Sequence, residues 1–192
     1  KKCPSLLGKQ RWAGVDTMIT RPKLDEDGEL SPPERSLKEA ALAYARKGYA
    51  VFPCHPASKA PRTKHGCKDA TTDEKIIEDW WGKWPDANIG IATGQASGIW
   101  VLDIDGREGE FSLNKLIDEH GRLPDTLEVA TGNGRHFYFI LRNGISIKNS
   151  ASKIGPGIDA RGDGGYVIAP PSIHPSGERY RWVDDQKPGG KK

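Results

Sequence analysis

A short apolar run that ends in two acids constrains this chain more than any other segment. Residues 99–105 read Ile-Trp-Val-Leu-Asp-Ile-Asp between two glycines, which predicts a short buried strand. Side chains two apart on a strand share a face, so Asp103 and Asp105 project together while Leu102 and Ile104 turn into a core. Two carboxylates ~7 Å apart repel each other unless a cation lies between them. The run alone leaves a solvated strand end and a metal site as open alternatives.

The segments around this strand place helices early in the chain and strands late. Apolar residues at helical spacing predict helices that open at 33–36 and at 73–74, and a third helix over 111–120. Runs rich in β-branched and aromatic residues predict further strands, at 49–53, 87–92, 126–130, 135–140, 158–161, 166–169 and 179–183. Because strands and helices do not alternate regularly, we expect an α+β fold with a mainly antiparallel sheet.

The two ends of the chain differ in composition from its middle. Residues 1–33 mix Lys, Arg, Asp, Gly and Pro without periodicity, which predicts a flexible leader. Residues 186–192 are rich in Lys and Gly and are expected to form a linker or tail. The folded domain is therefore expected over 34–185, a length that can bury a core.

Composition narrows the class of protein. No apolar run approaches the ~18 residues of a membrane span, and no signal peptide is evident, so we expect neither membrane insertion nor export. The 3 cysteines are an odd number without a disulfide pattern, which favours a reducing cytoplasm. The net charge of +3 is too small to indicate nucleic-acid binding by itself.

Two more polar residues share the setting of the acidic strand, in or at the end of an apolar strand and beside glycines. His136 follows a Gly-Arg pair, and Asp159 follows Gly-Pro-Gly-Ile. Glycine lets a backbone or a ligand approach closely, as a phosphate or nucleotide site requires. If Asp103, Asp105 and Asp159 converge, they offer hard oxygen ligands for Mg²⁺ or Mn²⁺. His136 would then contact a triphosphate and not the metal.

These motifs stand in an order that resembles a known family. The matching segments are GYAVFP at 48–53, KAP at 59–61, DATTD at 69–73, WW at 80–81, ANIG at 87–90, VLDID at 101–105, TGNGRHFYF at 131–139, GIDARGDGGYVIAPPS at 157–172 and then His174. Over roughly residues 37–182 the chain resembles the bifunctional DNA primase/polymerase N-terminal domain, the prim-pol branch of the archaeo-eukaryotic primase superfamily.

The resemblance implies a fold, an activity and a set of site residues. It implies an RRM-like antiparallel catalytic sheet beside a second α/β subdomain, and template-dependent joining of nucleotides with Mg²⁺ or Mn²⁺. By position, Asp103, Asp105 and Asp159 would bind the metal, and His136 would bind the phosphates of the incoming nucleotide. A hydroxyl would attack an α-phosphate in a two-metal phosphoryl transfer.

The same resemblance implies the partners and the context. The expected substrates are single-stranded or primed DNA with dNTPs, NTPs or both, and the expected role is replication of a phage, plasmid or other mobile element. Members are commonly followed by a helicase, so a helicase domain is expected in the full-length protein. The expected activity is that of a primase, a DNA polymerase or both.

Basic residues near the motifs are the expected phosphate contacts. Arg161 is the strongest of them, because it lies two residues from Asp159 and so on the same strand face. The expected nucleotide-binding residues are Arg135, His136, Lys153, Arg161 and His174. The expected nucleic-acid-binding residues are Lys59, Arg62 and Lys64. A purely structural role remains open for His174, and a solvated loop remains open for the second group.

Several residues have other interpretations. Asp163 is expected to serve a turn. Trp80, Trp81 and Trp84 are expected to pack in the core and not to stack on bases. Zinc ligation is open for a group of four residues whose spacing is not that of a standard zinc finger, namely Cys54, His55, His65 and Cys67. Two other functions are open, a non-catalytic nucleic-acid-binding module of the same fold and a metal-dependent phosphodiesterase.

Overall fold

A computed structural model describes residues 36–142 and 144–183, and the predicted leader and tail lie outside this part of the chain. The described residues form three α-helices, α1 (Leu37–Arg46), α2 (Glu74–Lys83) and α3 (Gly106–His120). They form nine strands, β1 (Val51–Cys54), β2 (Asn88–Ala92), β3 (Ile99–Asp105), β4 (Leu127–Ala130), β5 (Gly134–Ile140), β6 (Ser150–Gly155), β7 (Ile158–Arg161), β8 (Tyr166–Ala169) and β9 (Arg181–Trp182).

Local sequence signals explain where α1 and α2 begin. Ser36 and Glu39 form a capping box, in which the Ser36 hydroxyl accepts from the Glu39 amide at 3.2 Å and the Glu39 carboxylate accepts from the Ser36 amide at 2.9 Å. The Asp73 carboxylate accepts from the Lys75 amide at 2.9 Å and so caps α2. Both predicted helix starts are confirmed.

The helix α3 begins five residues earlier than predicted. It follows β3 directly, so that Asp105 is both the last residue of the strand and the N-cap of the helix. The first turn is polar, and its buried member is Gly109, which packs so closely on Gly157 that a Cβ there would overlap the Gly157 carbonyl oxygen. A helix start that packs through a glycine gives no apolar signal in the sequence.

Strands β1, β2 and β8 form a three-stranded antiparallel sheet that α1 and α2 cover. Its core includes Trp81, which is 1% exposed and donates its indole N–H to the Ala87 carbonyl at 3.0 Å. Trp80 and Trp84 are partly buried against the same core. The prediction that these three tryptophans serve packing is confirmed.

The other six strands form a second antiparallel sheet in the order β6-β7-β3-β5-β4-β9. Its central strand β3 lies between β5 and β7, and one face of the sheet packs on α3 through Leu102, Ile104 and Leu113. The predicted mixed architecture with antiparallel sheets is confirmed. Strand β6 was not predicted, because its side chains are mostly exposed and lack the alternation of a half-buried strand.

Every helix within the described part of the chain is too short or too polar to cross a bilayer.

Candidate metal centre

The register of the large sheet brings three acids together on the face opposite α3. Asp103 pairs with Asp159 across β3 and β7, and Asp105 follows two residues later on the same face. One ligand atom from each of the three carboxylates lies within 4.8 Å of the other two. In residues 36–142 and 144–183 no other group of three or more His, Cys, Asp or Glu side chains is placed to hold a metal. The predicted convergence is confirmed, and three carboxylates are a donor set for a hard divalent cation.

The loops next to the acids close tightly onto β3. The Asp105 amide donates to the Gly157 carbonyl at 2.8 Å, and the Gly106 amide donates to the Asn133 carbonyl at 2.7 Å. Gly134 must be a glycine here, since a Cβ would overlap the Ile104 carbonyl oxygen. The glycines of the sequence motifs therefore serve the approach of backbone to the end of β3.

Asp103 is the most buried of the three acids, with 4% of its surface exposed. His136 Nε2 lies 3.3 Å from its Oδ1, and Arg161 Nη2 lies 3.0 Å from its Oδ2. Burial opposes the charged form, but the hydrogen bonds and charges of His136 and Arg161 outweigh it and lower the pKa of Asp103. Asp103 is therefore held as a carboxylate.

Asp159 shares the Arg161 guanidinium with Asp103. Arg161 Nη2 lies 2.7 Å from Asp159 Oδ2, and the Ser152 amide of β6 donates to Asp159 Oδ1 at 2.8 Å. Arg161 thus bridges two of the three acids, and it lies on the same strand face as Asp159, as predicted from the sequence. Its planar fork suits carboxylate and phosphate oxygens equally.

The negative charge of Asp105 is the least compensated of the three. Burial raises its pKa, and the negative charges of Asp103 and Asp159 raise it further, while the charge of Lys59 opposes them. No hydrogen bond to the Asp105 carboxylate is found in the described residues, and it does not cap α3. A divalent cation would supply the positive charge that this carboxylate lacks.

A cleft between the two sheets opens beside the acids. The large sheet contributes Asp103, His136 and Arg161 to its lining, and the small-sheet side contributes Lys59 and Tyr166. The cleft therefore brings Asp103 together with basic groups that come from distant parts of the chain. Tyr166 was not predicted as a site residue, although it lies inside a matching motif.

His174 lies near the same cleft. Burial lowers its pKa first, and the charge of Lys59 lowers it further, while the charge of Asp105 acts in the opposite direction. Its ring lies against Tyr180 with centroids 5.6 Å apart, and Tyr180 also lies 5.9 Å from the His136 ring. Tyr180 is 1% exposed and lines the cleft between the two histidines. Tyr180 was not predicted as a site residue, because nothing local distinguishes it from a core aromatic residue.

His136 is 3% exposed, so it offers little surface to bulk solvent. Its Nε2 faces Asp103, while its Nδ1 is buried without a hydrogen-bond partner among the described residues. The ring also lines the cleft. Among the described residues, the ion pair of His136 is with a carboxylate of the acid group.

Arg135 does not join the acids. Adjacent strand residues point to opposite faces, so Arg135 lies on the α3 side of the sheet, away from His136. Its Nε lies 2.7 Å from Glu110, its Nη1 lies 3.2 Å from Glu128, and its guanidinium lies over the Phe137 ring. The expectation that Arg135 contacts nucleotide at this site is not supported by its position.

The remaining basic candidates lie farther out. Arg62 lies over the Trp84 ring at 5.6 Å and 3.9 Å from Asp86. Lys64 is exposed on the loop after β1, and Lys153 is exposed on β6. Lys59 alone of the predicted nucleic-acid-binding group lines the cleft.

Two sequence interpretations are resolved by contacts elsewhere. His65 Nδ1 lies 2.9 Å from Asp69, and the Cys67 thiol lies 3.5 Å from the Gly164 carbonyl, so the zinc interpretation has no metal-binding group to support it in the described residues. The Asp163 carboxylate accepts from the Gln95 amide at 2.8 Å and from the Ser146 hydroxyl at 2.6 Å, so its contacts are structural and join two other loops, where a role in its own turn was predicted.

Comparison with known families agrees with the site. The family model for the bifunctional DNA primase/polymerase N-terminal domain matches residues 41–190, and the chain belongs to this family. The family resemblance drawn from the motifs is therefore confirmed, and with it a primase/polymerase type of nucleotidyltransferase domain. No match is found among curated proteins.

Proposed function

We propose that this chain is a metal-dependent nucleotidyltransferase that joins nucleotides on a DNA template, as a primase, a DNA polymerase or both. The observation that carries the proposal is the convergence of Asp103, Asp105 and Asp159 to within 4.8 Å beside a cleft lined by Lys59 and Arg161. Acids that hold cations and bases that face them across a cleft are what a triphosphate substrate requires.

The architecture has the two parts that such a domain needs. We assign the RRM-like catalytic core to the six-stranded sheet with α3, and the second subdomain to the three-stranded sheet with α1 and α2. The acids lie on β3 and β7 of the core, and Lys59 approaches from the other subdomain. Substrate bound in the cleft would therefore contact both parts.

The three carboxylates fit Mg²⁺ or Mn²⁺, which when bound would lower the pKa of the attacking hydroxyl and neutralise charge on the phosphates. Asp105 can ligate without losing a hydrogen bond, because its carboxylate makes none among the described residues. Asp103 remains ionised through His136 and Arg161 and so is ready to ligate. Asp159 keeps one oxygen on the Ser152 amide, which fixes its orientation.

Arg161 has two sets of partners in this proposal. In the structure it bridges Asp103 and Asp159. When substrate is bound, its fork can exchange carboxylate oxygens for phosphate oxygens with the same geometry. We place His136 and His174 beside the triphosphate as well, since both rings flank Tyr180 at the cleft. Lys59, which also lines the cleft, is the remaining basic residue that we place beside the triphosphate.

The nucleic-acid contacts and the biological context follow from the family. We propose that the loop with Lys59, Arg62 and Lys64 contacts template or primer, where Lys64 is exposed and Arg62 is partly held on Trp84. The family favours replication of a phage, plasmid or mobile element, with a helicase as a further domain of the full-length protein. Sequence composition is consistent with a cytoplasmic location.

The test is incorporation of labelled dNTPs and NTPs on single-stranded and primed DNA with Mg²⁺ or Mn²⁺. The proposal expects metal-dependent extension or primer synthesis, lost in Asp103→Ala with Asp105→Ala. The exposed acid Asp118 on α3 provides the matched control, and Asp118→Ala should retain full activity. A phosphodiesterase would shorten the DNA, and a non-catalytic module would bind it unchanged. Normal synthesis by the double variant would refute the assigned metal site.

A further inference from the structure

The amide side chain of Asn88 ties together two loops that come from distant parts of the chain. Asn88 is the first residue of β2 and is 1% exposed. Its Nδ2 donates to the Ser58 carbonyl at 3.1 Å and to the Ile173 carbonyl at 2.7 Å. Its Oδ1 accepts from the Ile173 amide at 2.9 Å. The carboxamide therefore pairs with both backbone groups of Ile173, as a neighbouring strand would, and reaches the second loop with its remaining hydrogen.

The next residue of each loop is a basic residue that lies in the cleft or beside it. Lys59 follows Ser58, and His174 follows Ile173. Lys59 lines the cleft, and its charge acts on both Asp105 and His174. Neither loop belongs to the sheet that carries the acids, so the distance across the cleft depends on what holds the loops.

Other contacts support each loop separately. The Ser172 hydroxyl accepts from the Ile89 amide at 2.8 Å, and the Tyr166 hydroxyl donates to the Lys59 carbonyl at 2.9 Å. Each of these bonds holds one loop to the small sheet. Asn88, by contrast, bonds to both loops with one side chain.

We propose that Asn88 is a positioning residue that holds Lys59 and His174 at a fixed separation, so that both can contact the phosphates of one nucleotide bound at the acid group. This inference rests on the proposed function. Two donors and one acceptor on a side chain of this length are found only in asparagine. Serine supplies one donor, aspartate at neutral pH supplies none, and glutamine adds a methylene that would move the loops.

A purely structural role for Asn88 makes a different prediction. A buried amide that serves only folding would lower the folded fraction when replaced, so the apparent kcat would fall with the folded fraction and KM would stay unchanged. A positioning role changes the KM for the nucleotide while the metal site on the other sheet keeps its affinity. The two roles are separable by kinetics and by hydrogen exchange.

The experiment compares the full chain with Asn88→Ser and Asn88→Ala. We expect KM for the incoming nucleotide to rise about tenfold, with kcat changed less and Mn²⁺ affinity within about twofold. Hydrogen exchange should accelerate in both loops, residues 55–60 and 172–178, in the absence of nucleotide. The control is Ser36→Ala, which removes the hydrogen bond that the Ser36 hydroxyl accepts from the Glu39 amide and should lower stability without changing KM.

A combined variant tests the route of the effect. In a Lys59→Ala, His174→Ala background, Asn88→Ala should raise KM no further, because the groups that it positions are gone. Unchanged KM in folded Asn88→Ser, or faster exchange in only one of the two loops, would overturn the proposal. If Asn88→Ala does not fold, Asn88→Ser carries the same tests. A wild-type chain without synthesis would refute the proposed function instead, and hydrogen exchange would still decide whether Asn88 holds both loops.

Discussion

The electrostatic repulsion within the acid group predicts that removing one charge stabilises the metal-free protein. Asp105→Asn keeps the size of the side chain and removes its charge, and the wild-type carboxylate has no hydrogen bond in the described residues to lose. Two unit charges 4.8 Å apart interact by about 3.5 kcal/mol at an effective dielectric constant of 20. Lys59, Arg161 and solvent reduce this, so we expect a gain of about 1 kcal/mol.

Thermal unfolding in the presence of a chelator measures this gain. For a domain of this size about 1 kcal/mol corresponds to a rise in Tm of roughly 2–4 °C. With saturating Mn²⁺ the order should reverse, because the wild-type protein gains stability from bound metal and Asp105→Asn gains less. The variant should also lose nucleotide incorporation. Asp118→Asn, on the exposed side of α3, is the matched control and should leave both melting curves unchanged.

The effect should depend on pH in a defined direction. The pKa of Asp105 is raised, chiefly by burial and then by its acidic neighbours, so the folded wild-type protein takes up this proton more readily than the unfolded chain. As pH falls through that raised pKa, the wild-type protein loses its repulsion, and the advantage of Asp105→Asn should shrink. An advantage that is absent at neutral pH with chelator, or that grows as pH falls, would refute the reasoning.

Three further substitutions test separate parts of the structure. Arg161→Gln removes the ion pairs that bridge Asp103 and Asp159, so the free energy of unfolding in urea with chelator should fall by about 1–2 kcal/mol. An unchanged unfolding midpoint would show that the bridge does not stabilise the fold. Gly109→Ala forces a Cβ into the Gly157 carbonyl, so the free energy of unfolding in urea should fall by about 1–3 kcal/mol, and nucleotide incorporation should fall with it. Normal values of both would show that α3 can shift freely. Ser36→Ala should cost about 1 kcal/mol in urea unfolding and leave incorporation at 25 °C intact, whereas lost activity would place α1 closer to the chemistry than the structure does.

Local rules account for the parts of the fold that were predicted well. The capping residues Ser36 and Asp73 act within one helical turn, and the alternation along β3 acts within the strand, so both can be recognised without knowing the rest of the fold. The start of α3 and the whole of β6 were missed for a related reason. The first packs through Gly109 and the second is mostly exposed, so neither leaves an apolar periodicity.

The site shows the same division between local and long-range information. The period of two correctly placed Arg161 on the face of Asp159, and the same rule puts Arg135 on the opposite face from its neighbour His136. Proximity in sequence to a motif favoured Arg135, but its side chain pairs with Glu110 on α3. Strand alternation therefore indicates which basic residues share a face with the acids, and distance along the chain does not.

The sequence by itself determined the identity and the strand face of the acids, the helix caps and the family, because each is encoded in neighbouring residues or in the order of motifs. Tertiary structure alone decided which distant groups meet those acids. Lys59 lines the cleft and His174 lies beside it, on two loops that are separated by more than a hundred residues and joined by Asn88. Such contacts depend on how two sheets pack, and the packing is a property of the whole chain that no local pattern records.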